Sequence, residues 1–266
     1  MGLYLAAFYA CLLALVWKPM RVFLRRDFGG EKAGGIYIDA KDWVLFAALA
    51  SFVMVSASKL RAAFCGLFPG DESTALFTYA PLYQIILIMA VLAFKKLSTS
   101  EFKFGFFLNG GGFKAALKYA LIALLLSFIL GFVSRLGAYM ITGNMPAAQE
   151  VIDIFQGAES VYVRLLAVFS FVVLAPLAEE LLFRCLIYRG LKGSLPKIFA
   201  KPCQYAAAAA TSAVFAAVHT NAAAFVPLFA VSMVLIALYE RTGSIVVPIL
   251  SHGIFNLVNV GLILLA

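Results

Sequence analysis

The chain has 266 residues, 64% of them hydrophobic and only 13% charged, with a net charge of +8. Its mean hydropathy is +0.99. Soluble globular chains are roughly half apolar and about a quarter charged, so this composition excludes an ordinary soluble domain and points to the bilayer. Positive charge also marks nucleic-acid binders, but here Lys and Arg sit in a few loops between apolar runs, as the positive-inside rule requires. No nucleic-acid partner is expected.

Taken in chain order, the apolar runs cover residues 2–17, 43–67, 75–94, 115–141, 161–188, 204–220, 223–240 and 245–266. Most are near the 20 or so residues that span a hydrocarbon core. They are continuously apolar, unlike the alternating strands of a membrane barrel. The reading is an all-α, polytopic integral membrane helical bundle of about eight transmembrane helices. The first run lacks a basic leader segment and a small-residue cleavage site, so it reads as a retained anchor. The first and second runs are candidates for interfacial helices, the first because it is short and the second because it carries Lys59 and Arg61 near one end. Gly110, Gly111 and Gly112 open the fourth run without the Lys-Ser/Thr of a phosphate loop. The Ala206–Ala210 run supplies small residues for close helix packing. Cys11, Cys65, Cys185 and Cys203 have no metal-ligand spacing, and no disulfide framework is expected.

The loops alternate in charge. Basic residues fill 18–42 (Lys18, Arg21, Arg25, Arg26, Lys32, Lys41), 95–114 (Lys95, Lys96, Lys103, Lys114) and 189–203 (Arg189, Lys192, Lys197, Lys201). The intervening loops hold Asp71 and Glu72, then Glu150, Asp153 and Glu159. This pattern places the basic loops in the cytoplasm and both termini outside. Residues 1–150 are N-terminal membrane helices without an assignable role, and residues 151–266 carry the polar motifs within the same continuous bundle.

Ionisable groups in a bilayer core are costly and usually functional. With those at helix ends set aside, Arg135, Glu179, Glu180, Arg184, His219 and His252 remain, with the amides Gln84, Asn256 and Asn259. Glu180 and Arg184 are spaced to share a helix face and pair. Glu179 is rotated by about 100° and stays available for acid–base chemistry. Phe215 and His219 have the same spacing, as do His252 and Asn256. Both histidines of the chain thus follow the acidic pair, each on a different apolar run. At 1.5 Å per residue, Glu179 lies about 15 Å, His252 about 10 Å and His219 about 20 Å from the cytoplasmic ends of their runs. All three depths fall inside the bilayer.

Glu-Glu-x-x-x-Arg, Phe-x-x-x-His and His-x-x-x-Asn, in this order on membrane helices, resemble the CPBP family, the CAAX-processing and bacteriocin-processing intramembrane proteases. The resemblance covers about residues 160–266. It rests on Glu179, Glu180 and Arg184, on Phe215 and His219, and on His252 and Asn256. One departure is Cys185, where the family often has Gly. The resemblance implies hydrolysis of a peptide bond inside the membrane. Glu179 and His219 would activate water, His252 and Asn256 would stabilise the oxyanion or help hold a metal, and Glu180 and Arg184 would orient them, with Phe215 in support. Two His and one carboxylate also form a common zinc set, so Glu179, His219 and His252 are the candidate ligands of a divalent metal such as zinc. A metal-free glutamate mechanism stays equally open.

The substrate expected is a membrane-associated peptide or a lipidated protein, in contact with membrane lipid. The compact size fits a bacterial inner membrane. Two alternatives stand beside the protease: a non-catalytic scaffold or immunity protein with the same fold, and an ion- or proton-coupled transporter that uses Glu and His as relays. The transporter lacks support from an inverted repeat or from matched broken helices.

Overall fold

The computed structural model describes residues 2–28, 33–100, 103–108, 110–146, 150–199 and 203–265, without the side chains of 22–28, 150, 197 and 199. The side chains of Arg25, Arg26, Glu150 and Lys197, together with Lys32 and Lys201, therefore lie outside the described residues. Helices α1 (Gly2–Phe28), α2 (Ala40–Leu67), α3 (Glu72–Leu97), α4 (Gly112–Thr142) and the short α5 (Glu150–Gly157) come first. One long helical rod follows: α6 (Val161–Phe169), a π-helical turn (Ser170–Leu174), α7 (Ala175–Glu180), a second π-helical stretch (Leu181–Tyr188) and α8 (Arg189–Phe199). Helices α9 (Gln204–Ala217), α10 (Ala222–Thr242) and α11 (Val246–Leu265) complete the chain. Among the described residues there is no strand.

Among the described residues, seven segments are long and apolar enough to cross a membrane: Gly2–Arg21, Ala40–Leu67, Glu72–Leu97, Gly112–Thr142, Val161–Pro196, Ala222–Thr242 and Val246–Leu265. The all-helical membrane bundle read from the sequence is what the structure shows. The difference from eight lies in the run 204–220. Its helix α9 has 14 residues, about 21 Å of rise, against a hydrocarbon core of about 30 Å. The first run is longer than its sequence bounds and continues through Pro19.

The chain forms two compact units. One comprises Met1–Gly34, Gly105–Ala148 and Leu195–Ser251; the other comprises Gly35–Phe104, Gln149–Ser194 and His252–Ala266. In the first, α10 is the centre, with α1, α4 and α9 packed on it. Its side chains from Phe229 to Glu240 are buried without a break, as expected of a helix that is apolar all round. The Ser134 hydroxyl on α4 donates to the Ala223 carbonyl at 2.7 Å, and Gly137 makes room for the Phe8 ring. Helix α10 stops at Gly243, which adopts φ +68° and donates its N–H to the Tyr239 carbonyl at 2.7 Å. That left-handed conformation suits glycine at a helix end.

In the second unit α3 lies between α2 and the long rod. Phe77, Phe155 and Phe171 pack edge to face with ring centroids 5.7–6.0 Å apart, beside buried Val163, Ala167 and Val260. Asp71 caps α3, and hydrogen bonds led by the Thr74 hydroxyl at 2.6 Å hold its carboxyl below the ordinary value. The extended segment 35–39 fastens the end of the rod. The Ile36 N–H donates to the Arg189 carbonyl at 2.9 Å, and the Ser194 hydroxyl binds both N–H and carbonyl of Ile38 at 3.2 Å. Gly190 and Gly193 leave the space that Ile38 and Ile36 fill. Many large side chains on the spanning helices are exposed, including Leu121, Leu125, Phe128 and Phe132 of α4. In a bilayer such side chains face lipid tails as apolar as themselves.

Candidate active site

The site begins with a proline. An α-helical turn would direct the Pro176 nitrogen at the Val172 carbonyl, but proline has no N–H and its ring clashes with that oxygen. The chain opens into the π-helical turn Ser170–Leu174 just before α7. Such turns are rare and frequent at functional sites. The opened turn offers its carbonyls to α11. Asn256 donates its side-chain N–H to the Phe171 carbonyl at 2.7 Å. Three residues earlier on α11, Gly253 lies so close that an added Cβ would stand 2.8 Å from the Val172 oxygen.

This close approach brings His252 to the acidic pair. Glu180 and Arg184 are fully buried, and Arg184 Nε stands 3.0 Å from Glu180 Oε2. The contact is an ion pair but is not aligned as a hydrogen bond. The other oxygen, Glu180 Oε1, is 2.9 Å from His252 Nδ1. An ionised carboxylate only accepts, so the ring carries its proton on Nδ1 and presents Nε2 on the far side. There Nε2 faces Glu179 Oε2 at 3.8 Å. That separation exceeds a hydrogen bond but lets one water contact both atoms. The Glu179 side chain is 26% exposed whereas His252 is 6% exposed.

Glu179, Glu180, Arg184, His252 and Asn256 therefore gather in one unit. Phe215 and His219 belong to the other. Phe215 is buried within α9, while His219 falls in the turn just beyond its end, half-buried. Their rings are 4.9 Å apart, and His219 Nδ1 lies 2.7 Å from the Phe215 carbonyl. A carbonyl only accepts, so Nδ1 donates and Nε2 is the other ring nitrogen of His219. Of the remaining polar candidates, Arg135 reaches the Pro146 carbonyl at 3.4 Å. Asn259 donates back to the Phe255 carbonyl at 2.8 Å. Gln84 is buried on α3. Cys185, in the place where glycine is frequent, donates its thiol weakly to the Phe104 carbonyl at 3.8 Å.

Catalytic zinc sites take three protein ligands. Among the described residues no three His, Cys, Asp or Glu side chains stand together as a metal-binding group. Glu180 is occupied by Arg184 and by His252 Nδ1, which leaves Glu179 Oε2 and His252 Nε2 as the two facing donors. Within this unit these are two donors of the three that such a site takes, and no step below passes through a metal.

The fold and this site define a polytopic helical membrane protein with a carboxylate–imidazole pair held inside its membrane helices. Residues 161–258 match the family described as type II CAAX prenyl endopeptidase Rce1-like. The match spans all three motifs and bears out the CPBP resemblance read from them; residues 1–160 lie outside it. No curated protein and no solved structure matches the chain.

Glycine 253 gives a direct test of this geometry. Replacing it with valine should force α11 away from the Val172 carbonyl, because the obstacle is backbone and cannot rotate aside. Overpacking costs about 1–3 kcal/mol, against a helix-propensity gain of a few tenths for valine over glycine. Gly253→Val should therefore unfold at lower denaturant. An unchanged midpoint would show that the two segments are not in contact.

Proposed function

We propose that the protein is an intramembrane endopeptidase that hydrolyses a peptide bond of a membrane-associated peptide or lipidated protein. The observation that carries this reading is the placement of Glu179 Oε2 opposite His252 Nε2 at 3.8 Å, with the far side of the imidazole anchored on the buried Glu180–Arg184 pair. Glu179 is the general base. It takes a proton from the water as the water oxygen bonds to the scissile carbonyl carbon. It returns that proton to the amine nitrogen as the C–N bond breaks. His252 orients the same water through Nε2, or, when protonated, donates to the developing oxyanion. Glu180 holds the imidazole by its Nδ1–H, a task familiar from triads in which a carboxylate orients a histidine. Asn256 fixes α11 to the opened turn and so sets the height of His252.

His219 belongs to the proposal on its chemistry, an imidazole, as a second group that activates water. The bacterial inner membrane stays the proposed location. The Glu179–Glu180–His252 arrangement favours hydrolysis over the scaffold reading, because a scaffold needs no base opposite an oriented imidazole. The same groups would serve a proton relay, which predicts transport without peptide cleavage.

Purified protein in detergent is to be assayed on quenched fluorescent peptides, both lipidated tails and apolar single-helix peptides, with and without chelator. The expected result is cleavage by the wild type and none by Glu179→Ala. Loss of cleavage on chelation with recovery on zinc would assign a metal to the reaction and add His219 to its ligands. A folded protein that cleaves no peptide in either panel would overturn the protease reading.

A further inference from the structure

Phe106, Phe107 and Leu108 are large and apolar, yet they lie outside every membrane-spanning segment. Their backbone is fixed. Gly105 turns the chain with φ +71°, and an added Cβ there would stand 2.7 Å from the Gly243 oxygen. The Gly105 carbonyl accepts from the Ile245 N–H at 3.2 Å and from the Phe107 N–H at 3.0 Å. The Ser244 hydroxyl donates to the Phe107 carbonyl. Residues 105–108 are thus pinned to the connection between α10 and α11, within the first unit. The pinned segment turns its side chains outward: Phe106, Phe107 and Leu108 are 44–58% exposed, as is Phe113 in the first turn of α4. Beside Phe113, Lys114 and Lys118 are exposed and share one helix face. Helix α4 has 31 residues, about 46 Å of rise against a hydrocarbon core of about 30 Å. Its first two turns, which carry the lysines, therefore have length to spare for the headgroup layer.

We propose that Phe106, Phe107, Leu108 and Phe113, with Lys114 and Lys118, form a docking surface for anionic phospholipids of the cytoplasmic leaflet. A contiguous apolar patch left in water marks an interaction site, and large rings suit the level of the headgroups. The lysines supply the charge complementarity. The segment belongs to the basic stretch 95–114, which the charge pattern of the loops places in the cytoplasm. Anionic lipids give that leaflet its negative surface potential. The pinned backbone adds to the fit. Because residues 105–108 are already held at Gly105 and Phe107, the rings meet the lipid without a loop having to be ordered first. The surface contains none of the groups placed in the reaction, so it stands apart from the protease reading.

The test places a reporter in the patch of the full-length protein. Phe107→Trp, with Trp17→Phe and Trp43→Phe, is reconstituted in bilayers that contain brominated phosphatidylglycerol or brominated phosphatidylcholine at equal mole fraction. Bromine quenches only an indole close to it, so quenching reports which lipid sits against residue 107. Phosphatidylglycerol should quench at lower mole fraction than phosphatidylcholine. Its apparent affinity should fall about fivefold with Lys114→Gln and again with Lys118→Gln. Lys59→Gln with Arg61→Gln removes two exposed charges from α2 and should leave the preference as it is. Thermal unfolding of each variant confirms that the fold is kept. Equal quenching by the two lipids before any lysine is changed would overturn the proposal, as would an equal fall in the α2 variant. Quenching by neither lipid would also overturn it, and would show the patch to be covered by protein, either a second copy or another partner.

Discussion

Glu179→Gln should remove activity and leave the fold intact. The side chain keeps its size and its partial exposure of 26%, and it surrenders no ion pair on which the rod depends. Substitutions away from buried networks usually change stability by less than about 0.5 kcal/mol, so the thermal midpoint should stay within a degree or two of wild type. The chemistry should suffer far more. An amide cannot take a proton from water, and general-base catalysis contributes about 10²- to 10⁴-fold. His252 Nε2 faces the Glu179 carboxylate at 3.8 Å, and an amide in that place leaves the water beside it without its base. Glu179→Asp sharpens the point. It keeps the charge but withdraws the carboxyl by about one bond, and a displacement near 1 Å can cost about 10²-fold. Initial rates on the best peptide, set beside thermal unfolding, check both variants. Retained kcat in Glu179→Gln would remove Glu179 from the reaction.

The sequence shows some of these relations and hides others for physical reasons. The pairing of Glu180 with Arg184 is legible because helical spacing alone places them on one face. The separation of Glu179 from that pair is legible for the same reason. The depth argument for His219 assumes a helix that continues to residue 220, but α9 ends at Ala217 and His219 sits in the turn beyond it. Hydropathy does not mark that end, because alanine and valine continue through it. The join of Glu180 to His252 Nδ1 spans 72 residues, and no local pattern reports it. The anchoring of Asn256 is equally hidden: its side-chain N–H donates to the Phe171 carbonyl, 85 residues away in the chain, and no local pattern reports that contact. One signal was present: Pro176 inside an apolar run, three residues before the carboxylates, marks a turn that must open. Gly253 matters only through the Val172 carbonyl opposite it.

Arg184→Leu should destabilise the protein by about 3–5 kcal/mol, because it strands the charge of Glu180 in the interior. Both side chains are fully buried, and their attraction to each other offsets part of the desolvation cost of two ions. Removal of one partner keeps the cost of the other and loses the attraction. The double variant Glu180→Leu with Arg184→Leu should then be more stable than either single variant, since replacing a whole buried pair by apolar side chains is often neutral or stabilising. Activity should follow a different course. Without Glu180 the imidazole of His252 loses its acceptor on Nδ1, and with it the contact that turns Nε2 toward Glu179. The double variant should therefore regain stability and remain inactive. Denaturation midpoints in mild detergent, paired with rates on the same samples, separate the two quantities. If the double variant were as unstable as Arg184→Leu, the loss would come from packing in the π-helical stretch rather than from a stranded charge. If it regained activity with its stability, Glu180 would be a structural partner of Arg184 with no part in holding the histidine. Stability restored without activity is the one result that assigns Glu180 both tasks: it neutralises Arg184 with one oxygen and orients His252 with the other.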